Sequence, residues 1–270
     1  MNPRTSVIIP VYNCVRALEL VLNGYLRQSS RDFELFIADD GSGPELRILI
    51  EAYTQGAPFP VRYVSHPDEG YRKTIILNHA VRATEASYLI FADADCVPHS
   101  RFVEAHGRHH GSRTVLCGRR VNLNQRISDG LTPHAILEGG LERFTAGRLL
   151  DALFSRGAHW DEGILITNNI LHRWINRKEP TLLGCNYSLD KSLLEEINGF
   201  NEDFVGYSGE DTELEYRLRL AGARFQWVRH LAIQYHLYHP SRTVNEGNLK
   251  ALAQTQAAGN ATCRNGLRRY

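Results

Sequence analysis

The sequence lacks the two short motifs that most often identify a nucleotide-binding protein. It contains neither the P-loop pattern G-x-x-x-x-G-K-[ST] nor the dinucleotide pattern G-x-G-x-x-G. It also lacks any C-x-x-C pair. Its five cysteines are scattered, which favours reduced thiols over a disulfide framework or a structural zinc site. A nucleotide bound to this chain would therefore be held by carboxylates, a metal and aromatic stacking.

A strong charge of one sign and long apolar runs are also missing. The net charge of +1 provides no basic excess for bulk binding to nucleic acid, so no nucleic-acid partner is expected. No segment approaches the ~18–20 apolar residues of a membrane span. The first apolar run, 7–12, is too short for a signal peptide and contains Pro10. We therefore expect a cytoplasmic globular protein, large enough at 270 residues for a sizeable core.

Strand and helix patterns alternate through the first part of the chain. Short apolar runs predict strands at 6–12, 33–42, 61–65 and 88–93. Helical spacing of apolar residues predicts helices at 18–26, 44–53 and 74–84. This order is typical of an α/β protein with a mostly parallel, Rossmann-like central sheet flanked by helices.

Polar clusters lie at the carboxyl ends of three of these predicted strands, at 10–13, 39–42 and 93–96. In open parallel sheets, ligands bind outside the carboxyl ends of the strands. The three clusters therefore predict one binding crevice, with unrelated polar turns as the alternative.

The remaining chain is less regular. Residues 119–180 break the alternation and are interpreted as an insertion over the crevice, with helices near 134–156 and 164–178. A strand at 182–190, a helix at 206–222 and one or two strands within 225–239 follow. The expected organisation is a nucleotide-binding half, an insertion, an acceptor and catalytic half, and a polar tail, at 1–118, 119–180, 181–240 and 241–270.

Acidic residues crowd the start of the helix predicted at 206–222. A helix N-terminus attracts acids through its dipole and its free N–H groups, which accounts for some of them. Four acids in six positions exceed that need: Glu210, Asp211, Glu213 and Glu215. One of them aimed into the crevice would be a candidate general base, contributing roughly 10²–10⁴-fold to a rate.

Two histidines near the end of 225–239 suggest a metal ligand. His236 or His239 would complete a site with Asp95, and a half-buried structural histidine is the alternative. Carboxylate and water oxygens with one imidazole suit Mn²⁺ or Mg²⁺ better than structural zinc.

Arg72 and Lys73 precede a predicted helix, where their positive charge opposes the helix dipole. A bound phosphate would reverse that penalty, and a solvated basic pair is the alternative.

The segment 164–178 has an apolar face beside basic residues. Ile164, Leu171, Trp174 and Ile175 lie roughly on one side, near Arg173, Arg177 and Lys178. Such a face would suit an anionic lipid surface and bring the chain to the inner membrane as a peripheral protein. A core-facing helix over the crevice is the alternative.

Five stretches in order resemble an inverting family-2 glycosyltransferase with the glycosyltransferase-A fold. They are "SVIIPVYN", "FELFIADDGS", "LNHAVRATEASYLIFADADC", "GCNYSLDKSLLEEINGFNEDF" and "GYSGEDTELEYRL". The last also resembles part of chondroitin polymerases and of animal galactosyl- and N-acetylgalactosaminyltransferases. The resemblance covers most of the chain except 119–180 and the tail, and it implies a single-domain transferase.

The resemblance also implies roles for individual residues. The residues that would contact the nucleotide, or hold the loops that contact it, are Pro10, Tyr12, Asp39, Asp40, Arg72, Lys73 and Asp93. Asp95 and His236 would bind Mn²⁺ or Mg²⁺, Asp211 would be the catalytic base, and Glu210 would contact the acceptor sugar. Gly184, Asn186 and Gly209 would belong to the sugar pocket. Tyr207 and Ser208 replace the Trp-Gly often found before "GED", so the acceptor does not transfer from the relatives.

The implied reaction moves a sugar, with inversion, from a nucleotide-diphosphate donor to a glycan or lipid-linked hydroxyl. UDP is favoured because relatives mostly use it, and surface polysaccharide or lipopolysaccharide synthesis is the expected context. Two alternatives stay open: a sugar nucleotidyltransferase or diphosphatase, and a non-catalytic nucleotide-sugar-binding protein. The first usually has a glycine-rich loop after strand one, which "PVYNCVRA" lacks, and the second predicts loss of an acid at 95 or 211.

Overall fold

Ten strands lie within the residues that the computed structural model describes, 5–143 and 159–268. They are β1 Thr5–Val11, β2 Glu34–Asp39, β3 Val61–Ser65, β4 Tyr88–Ala92, β5 Cys96–Pro98, β6 Thr114–Cys117, β7 Val121–Asn122, β8 Asn186–Asp190, β9 Arg224–Trp227 and β10 Gln234–His236. Seven of these form one sheet in the order β3-β2-β1-β4-β8-β6-β9. Strand β8 runs antiparallel to its neighbours β4 and β6, and the other pairs are parallel. The predicted mostly parallel α/β sheet is confirmed.

Ten α-helices accompany the strands within the same described ranges. They are α1 Val15–Leu26, α2 Pro44–Gly56, α3 Lys73–Ala83, α4 Phe102–His109, α5 Gln125–Gly130, α6 Pro133–Leu137, α7 Asn169–Ile175, α8 Lys191–Glu196, α9 Glu210–Leu220 and α10 Glu246–Ala258. None of them has the length and apolar character that a membrane span would need.

Alternating side chains of the central strands supply two cores, one on each face of the sheet. Val7 and Ile9 of β1 pack with α1 and α2, whereas Ile8 packs with α3, α8 and α9. Successive strand residues point to opposite faces, so a strand covered on both sides must be apolar throughout. All residues of β2 and β4 are buried, which is why the sequence shows them as continuous apolar runs.

A second sheet of three short strands brings β10 beside β5, just after the end of β4. Strand β10 pairs antiparallel with β5 and parallel with β7, and His236 lies opposite Cys96. The insertion at 119–180 therefore contributes a strand, β7, that its irregular pattern did not predict. The pairing fixes where His236 lies relative to the aspartates that precede β5.

Helices within the insertion are shorter than predicted. Helix α6 ends at Leu137 and is followed by a 3₁₀ turn at Gly140–Glu142, while the rest of the helix predicted at 134–156 lies outside the described residues from 144 onward. The helix predicted at 164–178 is limited to α7, and none of its seven residues is buried. The core-facing interpretation of this segment is therefore wrong.

The segment predicted as a polar tail, 241–270, is part of the fold as far as the structure describes it. It contains α10, and Asn248 of that helix donates from Nδ2 to the carbonyl of Ser208 at 2.7 Å. Asn198 donates to the carbonyls of Cys263 and Arg268 at 2.9 and 2.8 Å. These contacts hold the loop that precedes α9, and polar side chains make them, which is why apolar periodicity did not reveal them.

Candidate active site

A pocket lies at the carboxyl ends of the parallel strands, where the three polar clusters meet. Its lining includes Pro10 near the end of β1, Tyr12 after β1, Asp40 after β2, and Asp93 and Asp95 after β4. The start of α9 and the end of β10 close the pocket from the other side. The pocket position agrees with the general rule for open α/β sheets.

Asp39 and Asp40 are adjacent but have different tasks. The Asp39 carboxylate accepts from Tyr63 Oη at 2.6 Å and from the Ser42 N–H at 2.9 Å, so it braces the loop and does not face the pocket. Asp40 lines the pocket, with Oδ1 2.6 Å from His66 Nε2 and Oδ2 accepting from the Arg72 N–H at 2.8 Å. Burial raises the pKa of the Asp40 carboxyl. Of the two, only Asp40 can contact a ligand directly.

The side chains of Arg72 and Lys73 also point in different directions. The Arg72 guanidinium turns back to Glu69, where Nη2 lies 3.0 Å from Oε2, and it does not line the pocket. Lys73 begins α3 and points inward, with Nζ 3.2 Å from Asp93 Oδ1 and 3.7 Å from Glu210 Oε1. Burial alone would lower the pKa of Lys73, but the neighbouring carboxylates, Asp93 foremost, raise it well above its usual value. Lys73 is therefore a charged ammonium in the pocket.

At one end of the pocket, a carboxylate and two imidazoles converge. Asp95 Oδ2 lies 3.3 Å from His239 Nε2 and 3.6 Å from His236 Nε2. The two Nε2 atoms are 3.1 Å apart, so three groups with lone pairs face one point. Burial by itself raises the pKa of the Asp95 carboxyl, but the two histidines outweigh it and hold that pKa well below its usual range.

This cluster, Asp95 with His236 and His239, fits a divalent cation. Two imidazole nitrogens 3.1 Å apart can satisfy each other only if one donates and the other accepts, whereas a metal uses both lone pairs. The two-imidazole, one-carboxylate set is a common ligand set for first-row transition metals. The sequence predicted one of the two histidines as a ligand and the resemblance implied His236; the structure brings both to Asp95.

At the other end of the pocket, Asp211 lies in the first turn of α9. Its Oδ2 accepts from the Gly184 N–H at 3.0 Å. Burial raises the pKa of the Asp211 carboxyl to about 7; Lys73 opposes this rise, and Glu210 and Asp93 add to it. Asp211 can therefore take up and release a proton near neutral pH.

Glycine at 184 is required by the approach of Asp211. A Cβ placed on Gly184 would lie 2.2 Å from Asp211 Oδ2. Gly209 serves the backbone instead: it precedes α9 with a φ of +89°, in the left-handed region that favours glycine, and it does not line the pocket. Gly184 thus lines the pocket as predicted, whereas the structure does not place Gly209 in its wall.

Asn186 does not line the pocket, which corrects its predicted position. It is fully buried, and Nδ2 donates to the carbonyls of Arg119 and Ala232 at 2.7 and 2.9 Å. Its Oδ1 lies 3.1 Å from His106 Nε2. Strand β8 begins at this residue, and the inward side chain ties β6, β8 and the segment before β10 together.

Several pocket residues had no signal in the sequence. Arg120 lies in the irregular insertion and Arg242 in the supposed tail, yet both line the pocket. Tyr71 and Cys185 line it too; Cys185 lies in a stretch that carries the family resemblance, but no role was predicted for either residue. They reach the pocket through tertiary packing, so spacing along the chain could not have found them.

Comparison with family models and known sequences gives a consistent result. Residues 6–197 match the model described as glycosyl transferase family 2, and residues 170–240 match one described as the N-terminal domain of galactosyltransferase. The chain is 28% identical to validoxylamine A glucosyltransferase of Streptomyces hygroscopicus over 263 residues, covering 93% of this chain and 58% of that protein. It is 25% identical to chondroitin synthase of Escherichia coli over 245 residues, covering 88% of this chain and 35% of that protein. This chain therefore spans little more than half the length of the first relative and about a third of the length of the second.

Solved structures share the fold. Staphylococcus aureus TarS bound to UDP superposes with a TM-score of 0.62 at 20% identity, covering 96% of this chain and 65% of the other. The mannosyltransferase PcManGT of Pyrobaculum calidifontis, in complex with GDP-Man and Mn²⁺, gives a TM-score of 0.58 at 14% identity, with 96% and 70% covered.

Proposed function

The chain belongs to glycosyl transferase family 2, and from that premise we propose that it is a metal-dependent, inverting transferase. It moves a sugar from a nucleotide-diphosphate donor to the hydroxyl of a glycan or lipid-linked acceptor. One observation carries the proposal: a single pocket holds the Asp95–His236–His239 cluster at one end and a carboxyl with a pKa of about 7 at the other. A donor with a charged leaving group and an acceptor with a proton to lose need these two groups.

The donor nucleotide would lie against the first two strand ends. Tyr12 is 39% exposed in the pocket wall, which leaves its ring face free to stack on a base. Asp40 is fixed by His66 and Arg72, and a carboxylate oxygen retains a further lone pair for a base N–H. Lys73 supplies a positive charge beside the expected diphosphate, paired until then with Asp93.

Asp95, His236 and His239 would hold the cation. The second imidazole favours Mn²⁺ over Mg²⁺, because Mg²⁺ prefers oxygen ligands. A divalent ion bound there would neutralise the charge that develops on the departing nucleoside diphosphate, an effect worth several kcal/mol.

Asp211 would be the general base. A carboxylate with a pKa near the working pH accepts a hydroxyl proton efficiently while remaining ionised for a useful fraction of the time. The Gly184 N–H fixes one oxygen of Asp211, which leaves the other for the acceptor. Removal of that proton lets the acceptor oxygen attack the anomeric carbon opposite the leaving group, which inverts its configuration. Glu210 and Tyr207 line the same wall and would contact the acceptor.

UDP is the proposed nucleotide, supported by fold relatives in complex with UDP and with UDP-GlcNAc. A role in surface polysaccharide or lipopolysaccharide synthesis is proposed from relatives named chondroitin synthase and hyaluronan synthase.

Donor turnover with product analysis tests the proposal. The protein is incubated with UDP-, GDP- and dTDP-sugars and Mn²⁺, with and without glycan acceptors, and the products are resolved by NMR. The proposal predicts release of the nucleoside diphosphate, loss of turnover in EDTA, and an inverted anomeric centre in the product. Release of a nucleoside monophosphate with a sugar 1-phosphate would instead identify a diphosphatase, and a retained anomeric configuration would exclude the inverting mechanism.

We also propose that α7 contacts an anionic membrane, which would place the protein at the cytoplasmic face of the inner membrane. Ile170 and Trp174 are 82% and 61% exposed, and Arg173, Arg177 and Lys178 are beside them. Exposed apolar side chains flanked by basic ones are typical of interfacial helices.

Flotation with vesicles of phosphatidylglycerol and phosphatidylcholine tests this contact. Wild type should float, and Trp174→Glu should not. Ile48→Glu changes a residue of α2 that is 66% exposed and serves as the matched control, which should still float. Wild type that stays at the bottom of the gradient would rule out the membrane contact without affecting the transfer reaction.

A further inference from the structure

Two cysteine thiols and a carboxylate meet in the wall of the pocket, next to the Asp95–His236–His239 cluster, where Cys96 Sγ lies 3.5 Å from Asp95 Oδ1. Cys96 Sγ, Cys185 Sγ and a carboxylate oxygen of Asp93 all lie within 4.8 Å of one another. Sheet topology explains this, because Ala92 at the end of β4 lies opposite Asn186 at the start of antiparallel β8. The residue after one strand, Asp93, and the residue before the other, Cys185, are therefore neighbours.

These three ligand atoms suit a different metal from the one that Asp95, His236 and His239 would bind. Thiolate sulfur is a soft ligand that selects Zn²⁺ and similar cations over Mg²⁺ and Mn²⁺. Zinc is bound at about 2.3 Å by sulfur and about 2.0–2.2 Å by carboxylate oxygen. Ligand atoms around a tetrahedral zinc are then roughly 3.3–3.8 Å apart, so three atoms already within 4.8 Å need only a small approach.

Positive charge beside the cluster offsets the charge of ionised ligands. Arg120 Nη1 lies 3.7 Å from Cys185 Sγ, and Lys73 Nζ lies 3.2 Å from Asp93 Oδ1. Two thiolates and one carboxylate carry three negative charges, which a divalent cation and the Arg120 guanidinium would balance. Burial of these ligands is therefore less costly than burial of isolated thiolates.

An ion can reach these atoms from the pocket itself. Asp93, Cys185 and Arg120 all line the pocket, whereas Cys96 lies fully buried behind them. A tetrahedral ion held by three protein ligands keeps its fourth position open, and here that position would face the pocket. Binding would also take Asp93 away from Lys73, the cation expected beside the donor diphosphate.

We propose that Asp93, Cys96 and Cys185 form a second cation site, which takes Zn²⁺ or a similar thiophilic divalent ion and blocks donor binding. Binding releases the two thiol protons to solvent, with no change in oxidation state. Inhibition by zinc in the presence of Mn²⁺ follows, and this consequence alone rests on the proposed function.

Cobalt spectroscopy tests the site independently of catalysis. Protein reduced with a phosphine and freed of metal is titrated with Co²⁺, whose thiolate complexes give an intense charge-transfer band in the near ultraviolet. Wild type should develop the band, and stoichiometric Zn²⁺ should remove it. Cys185→Ser and Cys96→Ser should lose it, while Cys14→Ser, which changes another thiol of the same pocket, should keep it.

If the reduced wild type gives no band, the proposed site is wrong. It is also wrong if the band persists in Cys96→Ser and in Cys185→Ser. Should Cys185→Ser fold poorly by circular dichroism, Asp93→Asn provides a second variant, in which more Co²⁺ should be needed to develop the band. In the turnover assay, Cys185→Ser should raise the zinc concentration needed for half inhibition by at least the roughly 10- to 100-fold typical of a lost partner in a metal site. If no donor is turned over at all, the proposed function fails while the cobalt band still decides the second site.

Discussion

Asp95 and Asp211 lie in one pocket and are chemically the same side chain, yet the protein gives them opposite acid strengths. Two imidazoles face Asp95 at 3.3 and 3.6 Å and keep its pKa well below the usual range. Asp211 receives one backbone N–H at 3.0 Å, and its burial near Glu210 and Asp93 raises its pKa to about 7. One carboxyl therefore stays charged, and the other exchanges a proton.

This difference shows how the site divides its tasks. A carboxylate that never accepts a proton is suited to hold a cation, and one that titrates near neutrality is suited to general base catalysis. Lys73 pairs with the sequence neighbours of both, since its ammonium lies 3.2 Å from Asp93 and 3.7 Å from Glu210.

Asp211→Asn should have the largest effect on the reaction. Asparagine can still accept from the Gly184 N–H, but it cannot take the acceptor proton, so kcat should fall by roughly 10²–10⁴-fold. Steady-state kinetics with saturating donor measure this loss. Asp129→Asn, at an exposed carboxylate outside the pocket, is the control and should have no effect. A kcat within twofold of wild type would assign the base to another group.

His239→Gln should weaken the metal end alone. Loss of one imidazole should lower Mn²⁺ affinity by at least the roughly 10- to 100-fold that even outer partners of a metal site contribute. Calorimetric titration with Mn²⁺ measures the change, and the exposed His134→Gln is the control. Unchanged affinity would leave His236 as the sole imidazole at the Asp95 end.

The pH dependence of kcat/KM should report the Asp211 end. Activity should rise with pH through about 7 as Asp211 loses its proton. Lys73 lowers the pKa of Asp211, so Lys73→Gln should move this rise to higher pH by on the order of one unit, while Lys73→Arg should keep it near the wild-type position. A shift to lower pH would contradict the electrostatic account.

Stability should show the smallest effect. The folded-state pKa of Asp211 lies above its value in the unfolded chain, so its contribution to stability is complete below the unfolded pKa and is lost as pH rises through about 7. At pH 8, Asp211→Asn should therefore raise Tm by a few degrees, about 2–4 °C for each kcal/mol. At pH 4 the gain should disappear. A lower Tm for the variant at pH 8 would show that the charged form is stabilised.

Local patterns were sufficient to predict strands β1 to β4 and helices α1 to α3. Strands β1, β2 and β4 carry apolar runs because both faces of the sheet are covered there, and Asp40, Asp93 and Asp95 follow where two of those runs end. The acidic start of α9 was equally visible. Each of these features is encoded by residues close together in the chain.

Side-chain direction at element boundaries could not be predicted in this way. Arg72 and Lys73 are adjacent, yet only Lys73 enters the pocket, because the helix starts between them and rotates their side chains apart. Gly184 and Asn186 are two residues apart, and the first lines the pocket while the second is fully buried. Arg120, Arg242 and α10 depend on packing between distant segments, for which the sequence has no periodic signal.

Binding of UDP in the presence of Mn²⁺, measured by calorimetry on Asp95→Asn and Asp211→Asn, tests the division of tasks most directly. The two variants carry the same chemical change at opposite ends of one pocket. The account predicts that Asp211→Asn binds UDP as wild type does, and that Asp95→Asn binds it no better than wild type in EDTA. Equal binding by both variants, or equal loss in both, would contradict the account.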